Sequence, residues 1–575
     1  MIKEKINNLI LEVLKNLDIE TKDFTLEHPA DIKNGDYSAN VAMVLAKNLK
    51  SNPKELAEKI KTELDKNLPK EIEKVTVAGA GFINFYLSRE FFANATKEIL
   101  KQGENWGKNE TLKGKKIMVE YTDPNPFKPF HIGHLMPNVI GESIARMIEY
   151  SGAKTIRANY QGDVGPHVAK AIYGMQKMGP PADESASPSL LATYIGDCYA
   201  KGADLYENDE NAKAEIDAIN KKVYDRSDDE INKIYDWGRK VTLEAFEEIY
   251  KILGTKFDYY FFESEMAPIG EKIVRENTGK IFEESDGAIV FHAEKYDPKL
   301  HTRVFITSKG IPLYETKEIG LTMTKFQKED QQENPLDLSI IVTAIEQGEY
   351  MKVVQKAVSL IHPDYESRMK HITHGMMKFA TGKMSSRKGN VITGESLLRD
   401  SMQVVLEKIA DRELSKEEKE TIAKVVGVSA VKYSILKSSL MSDIVYDFEK
   451  SISFEGDSGP YLQYTAVRAN SILKKAEPEG LCVGFRDVPT EVANLEHLLY
   501  QFPEIVVRAH EVLEPHHIVT YLTELASAFN AFYANTQIVN KSDPYAPYRV
   551  ALVEAFYLTM QNGLYLLGIK TPEKM

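Results

Sequence analysis

The chain has 575 residues, 43% hydrophobic and 27% charged, which is the composition of an ordinary globular protein and too much chain for one core, so two to four domains are expected. Its formal net charge of −13 leaves a nucleic-acid partner open, because affinity follows local basic patches and not the sum. No run approaches 18 apolar residues, the opening Met1 to Ile6 mixes charges with helical spacing, and Cys198 and Cys482 stand outside any C-x-x-C pattern; a membrane span, a signal peptide, a disulfide framework and a cysteine zinc site are therefore not expected, and the cytoplasm is the expected compartment.

Residues 1–108 read as a small α+β domain. Ile6, Leu9, Ile10 and Val13 mark one face of a first helix, and Asn52-Pro-Lys-Glu55 opens another with an N-cap, a proline at the first helical position and a carboxylate. Lys74–Ala78 and Phe82–Leu87 read as a strand pair joined by Gly79-Ala-Gly81. Taken alone, Phe82 reads as a core aromatic and Asn84 as a turn amide.

From 109 to 395 strands and helices alternate, the pattern of a mostly parallel sheet, with strand candidates at Lys116–Tyr121, Thr155–Tyr160, Ala288–His292, Arg303–Thr307 and Leu338–Ala344. Pro124, Pro126 and Pro129 forbid helix after the first strand, and helical spacing begins at Leu135. His131 and His134 therefore fall at a helix N-terminus, where free N–H groups and the positive dipole end favour phosphate, and Gly133 leaves room for a base or ribose. An isolated pair of helix-start histidines would be as consistent with no role at all. Residues 179–257 are long, charged and helical, and read as an insertion. From Arg368 to Gly394 there are six Lys or Arg and no carboxylate; within this stretch Thr381-Gly-Lys-Met-Ser-Ser-Arg-Lys-Gly389 is a basic loop on glycine hinges, suited to closing over a polyphosphate or, standing alone, a solvated loop. Beyond 396 strand signals disappear and helices dominate to the end; Leu522, Leu525, Phe529 and Phe532 share helical spacing, leaving Asn530 and Tyr533 on other faces.

Together the histidine corner and the basic loop resemble the HIGH and KMSKS signatures of class I aminoacyl-tRNA synthetases. The stretch from Val119 to Leu135 resembles the V-E-x-x-x-P-N-x-x-K-P-x-H-x-G-H-L of arginyl-tRNA synthetases, and Arg157-Ala-Asn-Tyr-Gln-Gly-Asp-Val-Gly165 is similar to that family's R-x-N-x-x-G-D-x-G. His371 to Gly375 followed by Met384-Ser-Ser-Arg-Lys-Gly389 resembles its H-x-x-x-G and M-S-x-R-x-G. Phe454 to Tyr464 with Arg468, Leu525 to Tyr533, and the ending at Met575 resemble its anticodon-binding domain. Asn34 to Tyr37 and Ala78 to Phe85 resemble its extra N-terminal module.

The resemblance implies an α/β class: a Rossmann-type catalytic domain at 109–395 with an insertion at about 179–257, an N-terminal α+β domain at 1–108 that approaches the tRNA D-loop, and an α-helical anticodon-binding domain at 396–575. It implies ATP-dependent activation of L-arginine to arginyl-adenylate, with Mg²⁺ on the phosphates, and transfer to tRNA(Arg), by a monomer with no membrane association. By the same resemblance His131, His134 and Gly133 contact ATP together with Met384, Ser385, Ser386 and Arg387, and Lys128, Lys383 and Lys388 face the leaving pyrophosphate. Lys128 compensates for the missing second lysine of K-M-S-K-S. Glu120, Asp123, Asn125, Tyr314, Glu318 and Gln347 hold arginine; Phe82, Asn84, Tyr461, Gln463, Tyr464, Arg468, Asn530, Tyr533 and Met575 contact tRNA; no side-chain metal site is implied. The chain departs from the family where Tyr314-Glu-Thr-Lys-Glu318 replaces Y-x-T-R-D and Asp123 replaces a common Ser. A catalytically inactive tRNA-binding paralogue and a small-molecule nucleotidyltransferase are the competing readings.

Overall fold

A computed structural model describes residues 2–20, 23–332, 334–380 and 393–575. Two compact units emerge, the first formed by Met1–Trp106, Arg468–Pro503 and Glu524–Gln561, the second by Gly107–Val467, Glu504–Thr523 and Asn562–Met575.

In the first unit strands β1 (Leu26–Glu27), β2 (Tyr37–Ala39), β3 (Ile72–Ala78) and β4 (Phe82–Leu87) form an antiparallel sheet in the order β1-β2-β4-β3. Helices α1 (Ile2–Asn16), α2 (Val41–Leu49), α3 (Pro53–Leu64) and α4 (Arg89–Gln102) bury Ile6, Ile10, Leu45, Ile60 and Phe92 in one cluster with Tyr37, Ile83 and Phe85. Asn52 caps α3 by accepting from the Lys54 and Glu55 amides, with Pro53 at the first helical position. The β3–β4 turn needs its glycines: Gly81 has φ +119°, and a Cβ there would lie 2.8 Å from the Pro53 carbonyl oxygen. Residues from late in the chain share this unit. Asp36 accepts from the Leu87 amide at 2.8 Å and contacts His497 Nδ1 at 2.7 Å, and Arg89 pairs with Glu496.

The second unit is built on strands β5 (Lys116–Glu120), β6 (Lys154–Gln161) and β7 (Tyr259–Phe262), with β8 (Glu283–Ser285), β9 (Ala288–Phe291), β10 (Arg303–Ile306), β11 (Leu338–Ala344) and β12 (Met369–His374) following. Five of them form an all-parallel sheet in the order β12-β11-β5-β6-β7. From β5 the chain winds outward through β6 and β7, then crosses to the other side for β11 and β12. The strand order reverses beside β5, the place where open α/β sheets present a crevice at their carboxyl ends. The intervening helices are α5 (Ile132–Tyr150), α6 (Pro166–Met178), α7 (Pro188–Asn208), α8 (Glu210–Asp225), α9 (Asp229–Leu253), α10 (Glu263–Glu276), α11 (Tyr314–Asp330) and α12 (Gly348–Ile361). α7, α8 and α9 make the helical stretch expected at 179–257, with Ile195, Ile216 and Ile231 packed against Val168 and Ile172 of α6.

Two strand candidates form but leave the parallel sheet. β9 and β10 join β8 in a separate antiparallel sheet. The cause is local: Asp286 and Gly287 both have positive φ and close a two-residue hairpin between β8 and β9, whereas a parallel crossover requires a dozen or more residues. A second difference lies past residue 396, where Ile444–Tyr446 pairs in parallel with Met377–Phe379. Helices Gly394–Lys408 (α13) and Lys416–Leu436 (α14) precede it.

Candidate active site

The site grows from the carboxyl end of β5. All five β5 residues are buried. Beyond Glu120 the backbone leaves strand geometry abruptly, with Thr122, Asp123 and Phe127 at φ +86°, +47° and +67°. Non-glycine residues hold such angles only where their surroundings fix them. Here Thr122 Oγ1 accepts from Asn138 at 2.9 Å, Asp123 Oδ1 accepts from the Tyr160 amide at 2.8 Å, and the Phe127 ring stacks on Tyr235 at 5.9 Å. Gly141 and Gly238 make room for this loop, since a Cβ at either would lie 2.3 Å from Tyr121 or 2.4 Å from Phe127.

His131 caps α5, and its backbone N–H donates to His134 Nδ1 at 3.3 Å. The two imidazoles stack with centroids 3.5 Å apart, and a Cβ on Gly133 would meet the His131 ring at 3.0 Å, so only glycine leaves that ring undisturbed. Burial, then the charge of Lys128, holds His131 down to about 4; burial, then His131 and Lys128, holds His134 well below the usual histidine range. His131 is exposed as a residue, yet the His134 ring and Gly133 crowd its imidazole. Both rings are neutral at pH 7. With Nδ1 of His134 accepting, its proton sits on Nε2, which makes that atom a donor. Lys128 lies beside them over the Tyr199 ring at 5.4 Å, its pKa lowered by burial and by Lys170.

The acidic half of the site faces α11. Glu120 pairs with Lys325, both almost fully buried, and one helical stripe of α11 carries Glu318, Lys325 and Glu329 at i, i+7 and i+11. Glu329 pairs with buried Lys116 at the start of β5. Two oppositely oriented ion pairs thus fix strand against helix. Glu318 lies between Glu120 and Tyr350, and its Oε2 has no hydrogen-bond partner among the described residues. Burial first, then the Glu120 charge, raises its pKa to about 8; the same two causes push Asp123 well up. Lys317, the next residue on α11, turns elsewhere: its Nζ lies 2.6 Å from Glu263 Oε2, both groups buried. Burial opposes the charge on Lys317, but Glu263 outweighs it and its pKa rises. Tyr314 opens α11 at 61% exposure, and Gln347 is also exposed, ending a 3₁₀ turn after β11. Asn125 reaches Gly162, where a Cβ would lie 2.3 Å from its Oδ1.

Sequence reasoning missed three of these groups, Glu263, Lys325 and His167, and gave Lys317 only as a departure from the family's arginine. Glu263 and Lys317 form the buried pair beside the pocket, Lys325 neutralises Glu120, and His167 contacts the Gly162 carbonyl through Nε2 at 2.8 Å with its pKa held near 3 by burial and Lys128. The i, i+7 spacing from Glu318 to Lys325 was the available signal for Lys325; the others depend on chain crossings. Asp163, of the Gly162-Asp163 motif, is fully buried and accepts from Arg239, Ser264 and Tyr235, so it anchors the loop.

Lys383, Met384, Ser385, Ser386, Arg387 and Lys388 lie outside the described residues. Immediately after them Thr393 bridges His131, and the Gly394 amide donates to the Phe130 carbonyl at 2.9 Å. Of the residues expected to meet tRNA, Phe82 is 41% exposed on β4, whereas Asn84 is buried with Oδ1 accepting from Ser38 at 2.7 Å. Arg468 donates to Asn530 at 2.7 Å and sits over the Tyr533 ring at 5.5 Å. In the second unit Gln463 is buried and donates to the Lys570 carbonyl at 2.5 Å, Tyr461 and Tyr464 are half-buried, and Met575, like Phe454, packs against a cluster that includes Ile409 and Ile452.

A five-stranded parallel sheet with a paired-histidine helix start beside its central strand defines the catalytic fold of a class I aminoacyl-tRNA synthetase. The family model for class I (R) tRNA synthetase catalytic domains matches residues 95–448, that for the arginyl tRNA synthetase N terminal domain matches 2–87, and that for the DALR anticodon binding domain matches 462–575. The chain belongs to the arginyl-tRNA synthetase family. It is 31% identical to an arginine–tRNA ligase of Halothermothrix orenii over 100% of this chain and 99% of that one, and 32% identical to one of Clostridium kluyveri over 98% of each. The arginyl-tRNA synthetase structure from Thermus thermophilus shares the fold with a TM-score of 0.80 at 24% identity, covering 100% of both chains.

Proposed function

We propose that the chain is an arginine–tRNA ligase: an arginine carboxylate oxygen attacks the α-phosphorus of ATP, pyrophosphate leaves, and a terminal ribose hydroxyl of tRNA(Arg) then takes the arginyl group, releasing AMP. The observation that carries the reading is the convergence of Glu120, Asp123 and Glu318, offset among the described residues by Lys325. A buried excess of carboxylate holds protons when empty and favours a cation as ligand, and a guanidinium presents five donors in a plane suited to two carboxylates at once. In this reading Glu318 reaches one methylene further than the aspartate usual in the family, and Lys317, occupied by Glu263, keeps its charge out of the guanidinium pocket. Asn125, Tyr314 and Gln347 hold the α-amino and carboxylate end.

His131 Nε2 or Nδ1 and His134 Nε2 donate to the α-phosphate as charge develops, the helix N-terminus adds its dipole, and Lys128 with Lys383 and Lys388 face the pyrophosphate. Substrate groups do the attacking, so no protein nucleophile is needed. Mg²⁺ accompanies the nucleotide's phosphates; among the described residues no group of three or more His, Cys, Asp or Glu is placed to cage a metal ion. No helix among the described residues is long and apolar enough to cross a membrane. ATP–pyrophosphate exchange with each amino acid in turn, with and without tRNA, tests the proposal: exchange with arginine is expected, and exchange supported only by another amino acid overturns it.

A further inference from the structure

A second charged pocket lies in the same unit, between the carboxyl end of α9, one face of α14 and the turn at Gly568–Lys570, with a volume of about 230 Å³. Its charged lining residues are Lys251, Lys424, Lys432 and Lys570, with no carboxylate among them. Lys424, Ser429 and Lys432 line it from one side of α14. The pocket is distant from the histidine corner: a Cβ on Gly568 would lie 3.9 Å from the Arg146 guanidinium, and Arg146 stands some 20 Å along α5 from His131 at 1.5 Å per residue.

Lys432 is the unusual member. It is 2% exposed, and its Nζ donates to the Leu253 and Gly568 carbonyls at 2.6 Å each, leaving one of three N–H donors over. The nearest carboxylate that favours its charge, Glu142, is already held by Arg146 at 2.7 Å and Arg157 at 3.1 Å. Burial first, then Arg146, brings its pKa down to about 7. Ser429 Oγ, also buried and lining the pocket, has no hydrogen-bond partner among the described residues. Capping the Leu253 carbonyl at the end of α9 and the Gly568 carbonyl of the turn accounts for two donors of Lys432. It does not account for three further lysines, each without an ion pair among the described residues, around the same cavity; like charges gathered at one opening repel one another and favour an anion there.

We infer that this pocket binds a phosphoryl group, supplied either by inorganic phosphate or by a phosphodiester of bound RNA. Lysines are point-charge donors suited to a tetrahedral oxyanion, and four of them exceed what one carboxylate would balance. The volume is below that of ordinary small-molecule pockets, which suits one phosphoryl group and not a nucleotide.

The test uses the full-length chain and the double variant K424A/K570A, both positions exposed and neither in the proposed active site. Inorganic phosphate is titrated against chloride at constant ionic strength, following the ³¹P line width, and tRNA affinity is measured by filter binding. The variant is expected to bind phosphate roughly tenfold more weakly or worse, with ATP–pyrophosphate exchange at saturating tRNA unchanged. If tRNA affinity falls with it, the RNA backbone is the source of the phosphoryl group; if tRNA affinity is unmoved, free phosphate is. A phosphate response in the variant equal to the parent's overturns the inference. So does a parent chain indifferent to phosphate whose tRNA affinity the double substitution leaves unchanged.

Discussion

Glu120, the last residue of β5, and Lys325, seven residues beyond Glu318 on α11, form an ion pair that is buried on both sides. Buried pairs add little net stability over an apolar substitute, but breaking one by removing a partner strands a charge and costs about 3–5 kcal/mol. Lys325→Met is therefore expected to lower the thermal unfolding midpoint markedly. Adding Glu120→Gln should restore most of the loss while leaving the chain unable to activate arginine. A double variant no more stable than Lys325→Met would show that the pair does not stand alone.

Glu318 gives the site a pH signature. Its folded pKa of about 8 lies above the ordinary 4.5, so the empty pocket holds a proton through neutral pH, and folded stability falls as pH rises from about 4.5 to 8 because the unfolded chain ionises first. A guanidinium favours the ionised form. Arginine binding then expels that proton, and KM for arginine should fall as pH rises from 6 towards 8, by up to about tenfold per unit, and level off above. Glu318→Gln should abolish this slope and weaken arginine by about 2–5 kcal/mol with KM for ATP kept. A slope that persists in the glutamine variant would assign it to another group.

Much of this site was legible before any coordinates. The prolines at 124, 126 and 129 excluded helix and the spacing from Leu135 began one, which alone put His131 at the cap of α5. Neutral histidines were not legible, because burial of a ring depends on Phe130, Gly133 and the packing of distant elements. The same holds for Lys317: the sequence marks it only as a departure from the family's arginine, whereas successive residues on a helix point about 100° apart and this one meets Glu263 of α10. The misplaced strands β9 and β10 had their signal in Asp286-Gly287, a hairpin turn that weighs against a parallel crossover.

The neutral histidines set a further expectation. With His131 held near 4, its phosphate contact is a hydrogen bond from an uncharged ring, so kcat at saturating arginine and ATP should stay level from pH 8.5 down to about 5.5. A contact that required imidazolium would lose rate as pH rises through about 6.5, the ordinary histidine value. His131→Ala should cost roughly a hundredfold in kcat, about 3 kcal/mol, with KM for arginine little changed. Parent-like exchange in that variant would remove His131 from the reaction.

Gly162 connects the two halves of the pocket. It follows β6, and a Cβ built there would stand 2.3 Å from Asn125 Oδ1 and 3.2 Å from Glu263 Oε1. The residue carries no positive φ, so alanine meets no backbone penalty and its effect is steric alone. The first contact is too close for any real Cβ, and the yielding group is the end of the Asn125 side chain, which turns away at small cost in stability. Asn125 is the residue assigned to the polar end of arginine. Gly162→Ala should therefore fold with a midpoint within a few degrees of the parent, since displacing a flexible side chain costs about 1 kcal/mol. Its KM for arginine should rise about tenfold, the equivalent of one lost hydrogen bond to a charged group. ATP affinity should hold, because the His131–His134 stack is built within the first turn of α5 and not on Gly162. An unchanged KM for arginine would mean that Asn125 does not hold the substrate, whatever becomes of Glu120 and Glu318.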